Sequence, residues 1–207
     1  DRLQRKKELL GLDLRYTRVT RSGVEKLRAS LPRCRVAFLD SSVKLSPAES
    51  TQVQLAGKGE KAVADWVKRL GGKVEFDTGR VSKVSLASTP VTDAQLENLK
   101  GLAHLKELDL EATEIGDAAP GNLGGCSALE AVNLSPTTVS DAGMARLENC
   151  PQLRRLNLSH TTISGLTLAR LKALTELELS DTPVNDDGLR AIAQLANLSR
   201  LSLSYTD

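Results

Sequence analysis

Aromatic residues are nearly missing from this 207-residue chain: it has two Phe, one Trp and two Tyr. The core must therefore be aliphatic, and there is little from which to build a stacking platform for single-stranded nucleic acid. Three cysteines exclude a disulfide framework. The two histidines, His104 and His160, form no H-x-x-x-H pair and no C-x-x-C is present, which argues against a zinc site. No G-x-S-x-G occurs, and Gly57-Lys58-Gly59 lacks the upstream Gly and the Ser/Thr of a phosphate-binding loop. Asn185-Asp186-Asp187-Gly188 lacks the spacing and terminal Glu of an EF-hand and reads as a helix cap. No run approaches the ~18 apolar residues of a membrane span. The chain opens on Asp1-Arg2-Leu3-Gln4, without an initiator Met or a signal peptide. These absences together predict no enzyme, no cofactor and no metal.

Charge is scarce in sum and uneven in place. Net charge is +2, yet residues 1–35 hold eleven Lys/Arg against four Asp/Glu, and the remaining 172 hold 17 against 22. The basic start could draw an acidic partner or nucleic acid. Without interleaved aromatics it reads instead as a solvated helix and turn surface, and a nucleic-acid partner is not expected.

What the chain has in excess is leucine, 36 residues, and it recurs. Val84-Ser85-Leu86, Leu108-Asp109-Leu110, Val132-Asn133-Leu134, Leu156-Asn157-Leu158, Leu177-Glu178-Leu179 and Leu201-Ser202-Leu203 start 24, 24, 24, 21 and 24 residues apart. An apolar residue stands three positions before each: Val81, Leu105, Leu129, Leu153, Leu174, Leu198. Three positions after each comes a threonine: Thr89, Thr113, Thr137, Thr161, Thr182, Thr206. A period of this length means a stacked array of supersecondary units. Alternation turns the two apolar residues of each short strand inward and the middle one outward. No unit buries its apolar face alone, so the strands pair in parallel and share one core. The threonines then stack as a buried ladder, each hydroxyl bonding backbone of its own or the adjacent turn.

The segments after the threonines read as helices. Thr92-Asp93, Ser140-Asp141 and Asn185-Asp186 supply N-caps and first-turn acids. Apolar pairs come next at helical spacing, such as Met144 with Leu147. The 21-residue unit predicts a shorter limb over 164–171. Pro120 and four glycines predict a poor helix over 116–125.

The same phase is present at the start, where Leu9-x-x-Leu12-Asp13-Leu14 precedes Thr17 and Val19 and Val36-Ala37-Phe38 could close a first block. The expected organisation is a first block over 1–40, a linker over 41–59, a cap of helix plus strand over 60–80, and a second block of five to six repeats over 81–207, truncated at its C-terminal end. An extended Val53-Gln54-Leu55 fits within the linker. In the cap, Val63, Trp66, Val67 and Leu70 share one helical face, Gly71-Gly72 ends the helix, and Asp77-Thr78-Gly79-Arg80 makes a tight turn. Trp66 is then a core residue of the cap. Because the chain enters and leaves in mid-repeat, the native protein is expected to extend in both directions.

Thr89-Pro90-Val91-Thr92-Asp93, Thr138-Val139-Ser140-Asp141-Ala142-Gly143-Met144 and Thr182-Pro183-Val184-Asn185-Asp186 resemble the T-x-[VI]-[TS]-D-x-G-[LM] class of bacterial leucine-rich repeats, close to the cysteine-containing, ribonuclease-inhibitor-like type. The resemblance covers about 150 of the 207 residues and departs at Gly165, where an Asp is usual, and in the short repeat. It implies an α/β leucine-rich repeat solenoid: a right-handed β/α horseshoe with a parallel concave sheet, interrupted by the linker and cap helix. That class also places cysteine at the positions of Cys126 and Cys150, one period apart, which read as buried apolar thiols. A disulfide or metal pair is the other reading of their spacing. The sequons at Asn133, Asn157 and Asn197 are by-products of the repeat.

The resemblance implies a non-catalytic scaffold that presents its concave sheet to a protein partner. The alternative is a regulatory or targeting segment of a larger multidomain enzyme, such as a bacterial kinase, with the chemistry outside this fragment. By phase, the concave face holds a central column (Ser85, Asp109, Asn133, Asn157, Glu178, Ser202), a flanking column (Lys83, Glu107, Ala131, Arg155, Glu176, Arg200) and a third column (Ser88, Ala112, Pro136, His160, Asp181, Tyr205). The expected binding residues are Glu107, Asp109, Asn133, Arg155, Asn157, His160, Glu176, Glu178, Arg200 and Tyr205. Arg155, His160, Arg200 and Tyr205 are the anchor types favoured at interfaces.

Overall fold

The computed structural model describes residues 11–13, 21–32, 34–37 and 53–206. The chain forms two compact units, 1–44 and 45–207. In the first, strand β1 (Gly11–Asp13) precedes helix α1 (Arg21–Ser30) and strand β2 (Arg35–Ala37). The two strands pair in parallel with Gly11 opposite Arg35, a separation of one 24-residue period. Leu31 and Cys34 are buried in this unit. The expectations placed on Leu9, Leu14, Thr17, Val19, Phe38 and residues 41–52 lie outside the described residues.

The second unit opens with a helix and a hairpin. Helix α2 (Glu60–Arg69) buries Val63, Trp66 and Val67. Trp66 is fully buried, and its indole N–H donates to the Val53 carbonyl at 3.2 Å. Residues 53–56 are not a strand, but Val53 and Leu55 pack against the core. The helix stops as a Schellman motif: Gly71 takes φ +89°, its N–H donates to the Lys68 carbonyl, and the Gly72 N–H donates to that of Val67. Strands β3 (Lys73–Asp77) and β4 (Arg80–Ser85) then form an antiparallel hairpin. Thr78 (φ 49°) and Gly79 (φ +82°) both sit in the left-handed region, as a two-residue turn matched to strand twist requires. Glu60 ties helix to hairpin by accepting the Val81 N–H and pairing with Arg80 at 3.3 Å.

From β4 the chain repeats itself. Strands β5 (Glu107–Asp109), β6 (Ala131–Asn133), β7 (Arg155–Asn157), β8 (Glu176–Glu178) and β9 (Arg200–Ser202) run on in parallel, giving the order β3-β4-β5-β6-β7-β8-β9. The register keeps equivalent residues level: Leu108 faces Val132, then Leu156, then Leu177. One apolar core runs unbroken from Val63 to Leu195, almost all of it Leu, Val and Ile. At β9 the apolar side chains emerge: Leu201 is 39% exposed, whereas its counterparts Leu108, Val132, Leu156 and Leu177 are buried.

The return limbs correct one expectation. In the second unit two contain α-helix, α3 (Asp141–Met144) and α4 (Asp186–Ile192), while the limb after Thr92 does not. The others are 3₁₀ turns at Ala94–Leu99, Ala119–Leu123 and Leu168–Arg170, and α3 itself tightens to 3₁₀ over Ala145–Asn149. The reason is width. Strands recur about every 4.8 Å, while an α-helix with side chains is about 10 Å across, so a narrower coil stacks with less splaying. The limb with Pro120 and the limb of the 21-residue repeat are among the shortest, at five and three residues.

Candidate functional site

From β5 to β8 the middle residue of each strand points into the core, and the residues on either side of it form the open face of the sheet. Its flanking column is crossed by ion pairs. Lys83 reaches Glu107 at 3.3 Å from the neighbouring strand. Arg155 reaches the same carboxylate at 3.0 Å from two strands away. Arg200 holds Glu176 at 2.9 Å. Arg155 can cross β6 because the residue between it and Glu107 is Ala131, too short to block the path. Arg155 and Arg200, expected as anchors, are thus engaged by carboxylates of the same face.

The central column is held by hydrogen bonds. Asp109 accepts from the Ser85 hydroxyl (2.9 Å), the Asn133 amide (3.1 Å) and the Glu111 N–H (3.2 Å). Asn133 and Asn157 each accept the N–H two residues on, from Ser135 at 3.2 Å and Ser159 at 3.0 Å. These are Asx turns, which lead the chain out of the strand. The column's Asp and Asn therefore have a scaffold role beside any contact role.

A depression of about 350 Å³ opens here. Leu108, Ala131, Val132 and Leu156 are its apolar lining, and Ala131 is the one short side chain of the flanking column. Around it stand Glu107, Asp109, Asn133, Arg155, Asn157, Glu176 and Glu178, seven of the ten expected binding residues, plus Arg200 at one remove through Glu176.

The third column departs from its expected place. Ser88, Ala112, His160, Asp181 and Tyr205 lie beyond the strands with φ between 54° and 61°, the left-handed region. Their backbone sits there because four of their N–H groups continue the ladder to the next repeat, as from His160 to the Ser180 carbonyl at 2.9 Å. Pro136, with φ fixed negative and no N–H, is the exception. His160 and Tyr205 stand at the rim of the face rather than on the sheet. His160 Nδ1 is 2.7 Å from the Asp181 carboxylate, and Tyr205 is 89% exposed.

Residues 172–193 match the family model described as Leucine Rich repeat. No curated protein matches the chain. Among solved structures, the internalin inlF of Listeria monocytogenes is similar over 99% of this chain and 44% of its own, at 18% identity and TM-score 0.51. The PEPR1-AtPEP1 structure is similar over 79% of this chain and 23% of its own, at 21% identity and TM-score 0.52. The chain thus spans less than half the length of either neighbour.

The fold is a leucine-rich repeat solenoid.

Inside the solenoid the threonine ladder caps each strand exit. The hydroxyls of Thr89, Thr113, Thr137, Thr161 and Thr182 donate to the carbonyl three residues earlier at 2.5–2.7 Å, and all five residues are buried. Thr206 makes the same bond at 3.0 Å and is half-buried. The thiols of Cys126 and Cys150 are buried and free, and donate to the carbonyls of Leu99 and Leu123. Burial pushes both up to about 11.

A second ladder of the solenoid goes beyond the sequence expectations. Asp93, Asp117 and Asp141, at the start of successive limbs, each accept a backbone N–H of the next repeat: Gly116 at 2.8 Å, Ser140 at 2.6 Å, Ser164 at 2.8 Å. Burial opposes charge on Asp117, but bonds from the Ser140 N–H and hydroxyl and the Gly143 N–H, with the charge of Arg146, outweigh it and hold the carboxyl below its ordinary value. Gly143 and Gly188 are the other half of the D-x-G motif. A Cβ on Gly143 would come within 2.8 Å of the Asp117 carboxylate. At Gly165 the aspartate is missing, and Gly188 packs directly on the Ser164 carbonyl. The recurrence of Asp at one phase is the signal that points to this ladder; a helix-cap role alone does not account for it. Among the described residues no group of three or more His, Cys, Asp and Glu is placed to hold a metal ion, and no helix is long and apolar enough to cross a membrane.

Proposed function

We propose that this chain is a non-catalytic scaffold whose concave sheet face binds a protein partner. The observation that carries this reading is the depression over Ala131. It lies on the one broad face of the solenoid whose side chains do not build the core, and it is ringed by charged and amide groups. Glu107, Asp109, Asn133, Arg155, Asn157, Glu176, Glu178 and Arg200 are its contact residues, with His160 and Tyr205 at the rim. The repeats are of the T-x-[VI]-[TS]-D-x-G-[LM] type close to the ribonuclease-inhibitor-like class, which the paired roles of Asp117 and Gly143 support. Residues 60–80 serve as the cap of the second block, 81–207, and residues 1–40 end a first block.

The test fills the depression. Long side chains stand at the Ala131 position in the other five repeats, so Ala131→Tyr leaves the fold intact. Affinity capture from the source-cell lysate, read by mass spectrometry, compares the two proteins. A partner retained by the wild type and lost by Ala131→Tyr is expected. A partner retained equally by both overturns the assignment to this face.

A further inference from the structure

We infer that the depression takes a basic, extended segment of the partner, with cationic side chains four residues apart seated over Asp109 and Glu178. The inference rests on the proposed binding role of this face and adds the chemistry of what binds there.

The lining decides the sign. Four carboxylates, on Glu107, Asp109, Glu176 and Glu178, face one cation, Arg155. The face's own behaviour shows what these carboxylates accept. Each one in the flanking column has recruited a cationic head: Glu107 takes Lys83 and Arg155, and Glu176 takes Arg200. The central column has recruited none. Asp109 is held by neutral donors only. Glu178 is half-buried on the strand next to that of Asn157, and its carboxylate has neither a hydrogen bond nor an ion pair among the described residues. Half-burial raises the cost of an uncompensated carboxylate, so this is where an incoming cation gains most. With Lys83, Arg155 and Arg200 counted, one negative charge is left over, and a carboxylate-bearing segment or a nucleic-acid backbone would meet Asp109 and Glu178, the two carboxylates without an ion pair among the described residues, and be repelled.

The spacing decides the form of the segment. Asp109 lies on β5 and Glu178 on β8, three strand intervals apart in a parallel sheet, which is about 14 Å. In an extended chain, residues i and i+4 lie about 13 Å apart and point to the same side. A segment with Arg or Lys at i and i+4, crossing the strands, therefore reaches both carboxylates at once. Its middle residue lies over Asn133 and Asn157, the central-column residues between them. Arg155, paired with Glu107, is the like charge that such a segment must approach.

The probe is a capped pentapeptide, Arg-Ser-Thr-Ser-Arg, with Glu-Ser-Thr-Ser-Glu as its control, titrated into the full 207-residue chain and followed by backbone NMR shifts. The Arg peptide is expected to shift β5–β8 resonances and the Glu peptide to shift none. Glu178→Gln weakens the Arg peptide by about two- to fivefold, the range of one solvent-facing ion pair. Arg155→Ala tightens it by a similar factor, because it removes a like charge from the face. Both residues face outward, so neither variant disturbs the core. Raising ionic strength well above ~0.1 M weakens the Arg peptide. Three results overturn the inference: equal or better binding of the Glu peptide, weaker Arg-peptide binding by Arg155→Ala, or no response to Glu178→Gln. Loss of partner capture by Ala131→Tyr with no Arg-peptide binding refutes the basic segment and leaves the binding face standing. Capture that survives Ala131→Tyr refutes the face itself.

Discussion

Asp117 accepts both the backbone N–H and the hydroxyl of Ser140, at 2.6 and 2.7 Å, across 23 residues of sequence and one step of the solenoid. The pair is a bolt between repeats on the side opposite the strand ladder. It adds to the bonds from Thr138 to the Ile115 carbonyl and from Asn122 to the Asp93 carbonyl, which also join successive repeats away from the strands. Asp93 and Asp141 repeat the device.

The bolt titrates. The folded carboxyl of Asp117 lies below its ordinary value, so its contribution is fully present above the unfolded value near 4 and is lost as pH falls through the folded one. Asp117→Asn should therefore destabilise the protein at neutral pH and have a smaller effect in acid. Urea unfolding of both proteins between about pH 2 and pH 7 checks this. A stability difference independent of pH would mean that the carboxylate's charge plays no part.

Gly188 is a space requirement. Its φ is ordinary, but an added Cβ would stand 2.0 Å from the Ser164 carbonyl oxygen and 3.3 Å from Val184. Because the obstacle is backbone, Gly188→Ala must separate the last two limbs, at a cost of about 1–3 kcal/mol or more. In Gly143→Ala the nearest atom is the Asp117 carboxylate, at 2.8 Å, so this variant should also disturb the Asp117–Ser140 bolt. Guanidinium melts of the two variants, with the Asp117→Asn background as a cycle, should show coupling for position 143 and none for 188.

Cys126 and Cys150 should be inert in the native state. Each is buried and pushed up to about 11, so at pH 8 little thiolate is available to react. Iodoacetamide labelling read by peptide mass spectrometry should modify both only after denaturant is added. Rapid native-state labelling of either would show that its limb opens locally.

Much of this architecture is legible in the residue pattern because a repeat multiplies a weak signal. One L-x-L says little; six with a threonine in phase specify strand position, side-chain direction and the buried ladder from Thr89 to Thr182. The helix and hairpin over 60–85 are legible for a different reason: Gly71-Gly72 and Thr78-Gly79 are demanded by local backbone geometry, and Trp66 lies on an amphipathic face. The same local logic misjudges one limb. Ser140 and Asn185 do start α-helices, yet the limb after Thr92 is 3₁₀, because the width available is set by the neighbouring repeats. It also keeps His160 and Tyr205 on the sheet, since alternation cannot foresee a left-handed residue at the strand end.

The candidate site divides along the same line. Which residues face outward from each strand is fixed by a period of two along a strand and 24 along the chain, and the sequence alone determines both. Which of them meet is not fixed that way. That Arg155 passes over Ala131 to Glu107, that Glu178 has no cation beside it, and that Asp117 reaches Ser140 were decided only in the tertiary structure. The physical reason is that these are lateral contacts between repeats. They depend on side-chain length and on what stands one or two strands away, which are properties of the stack and of no single repeat.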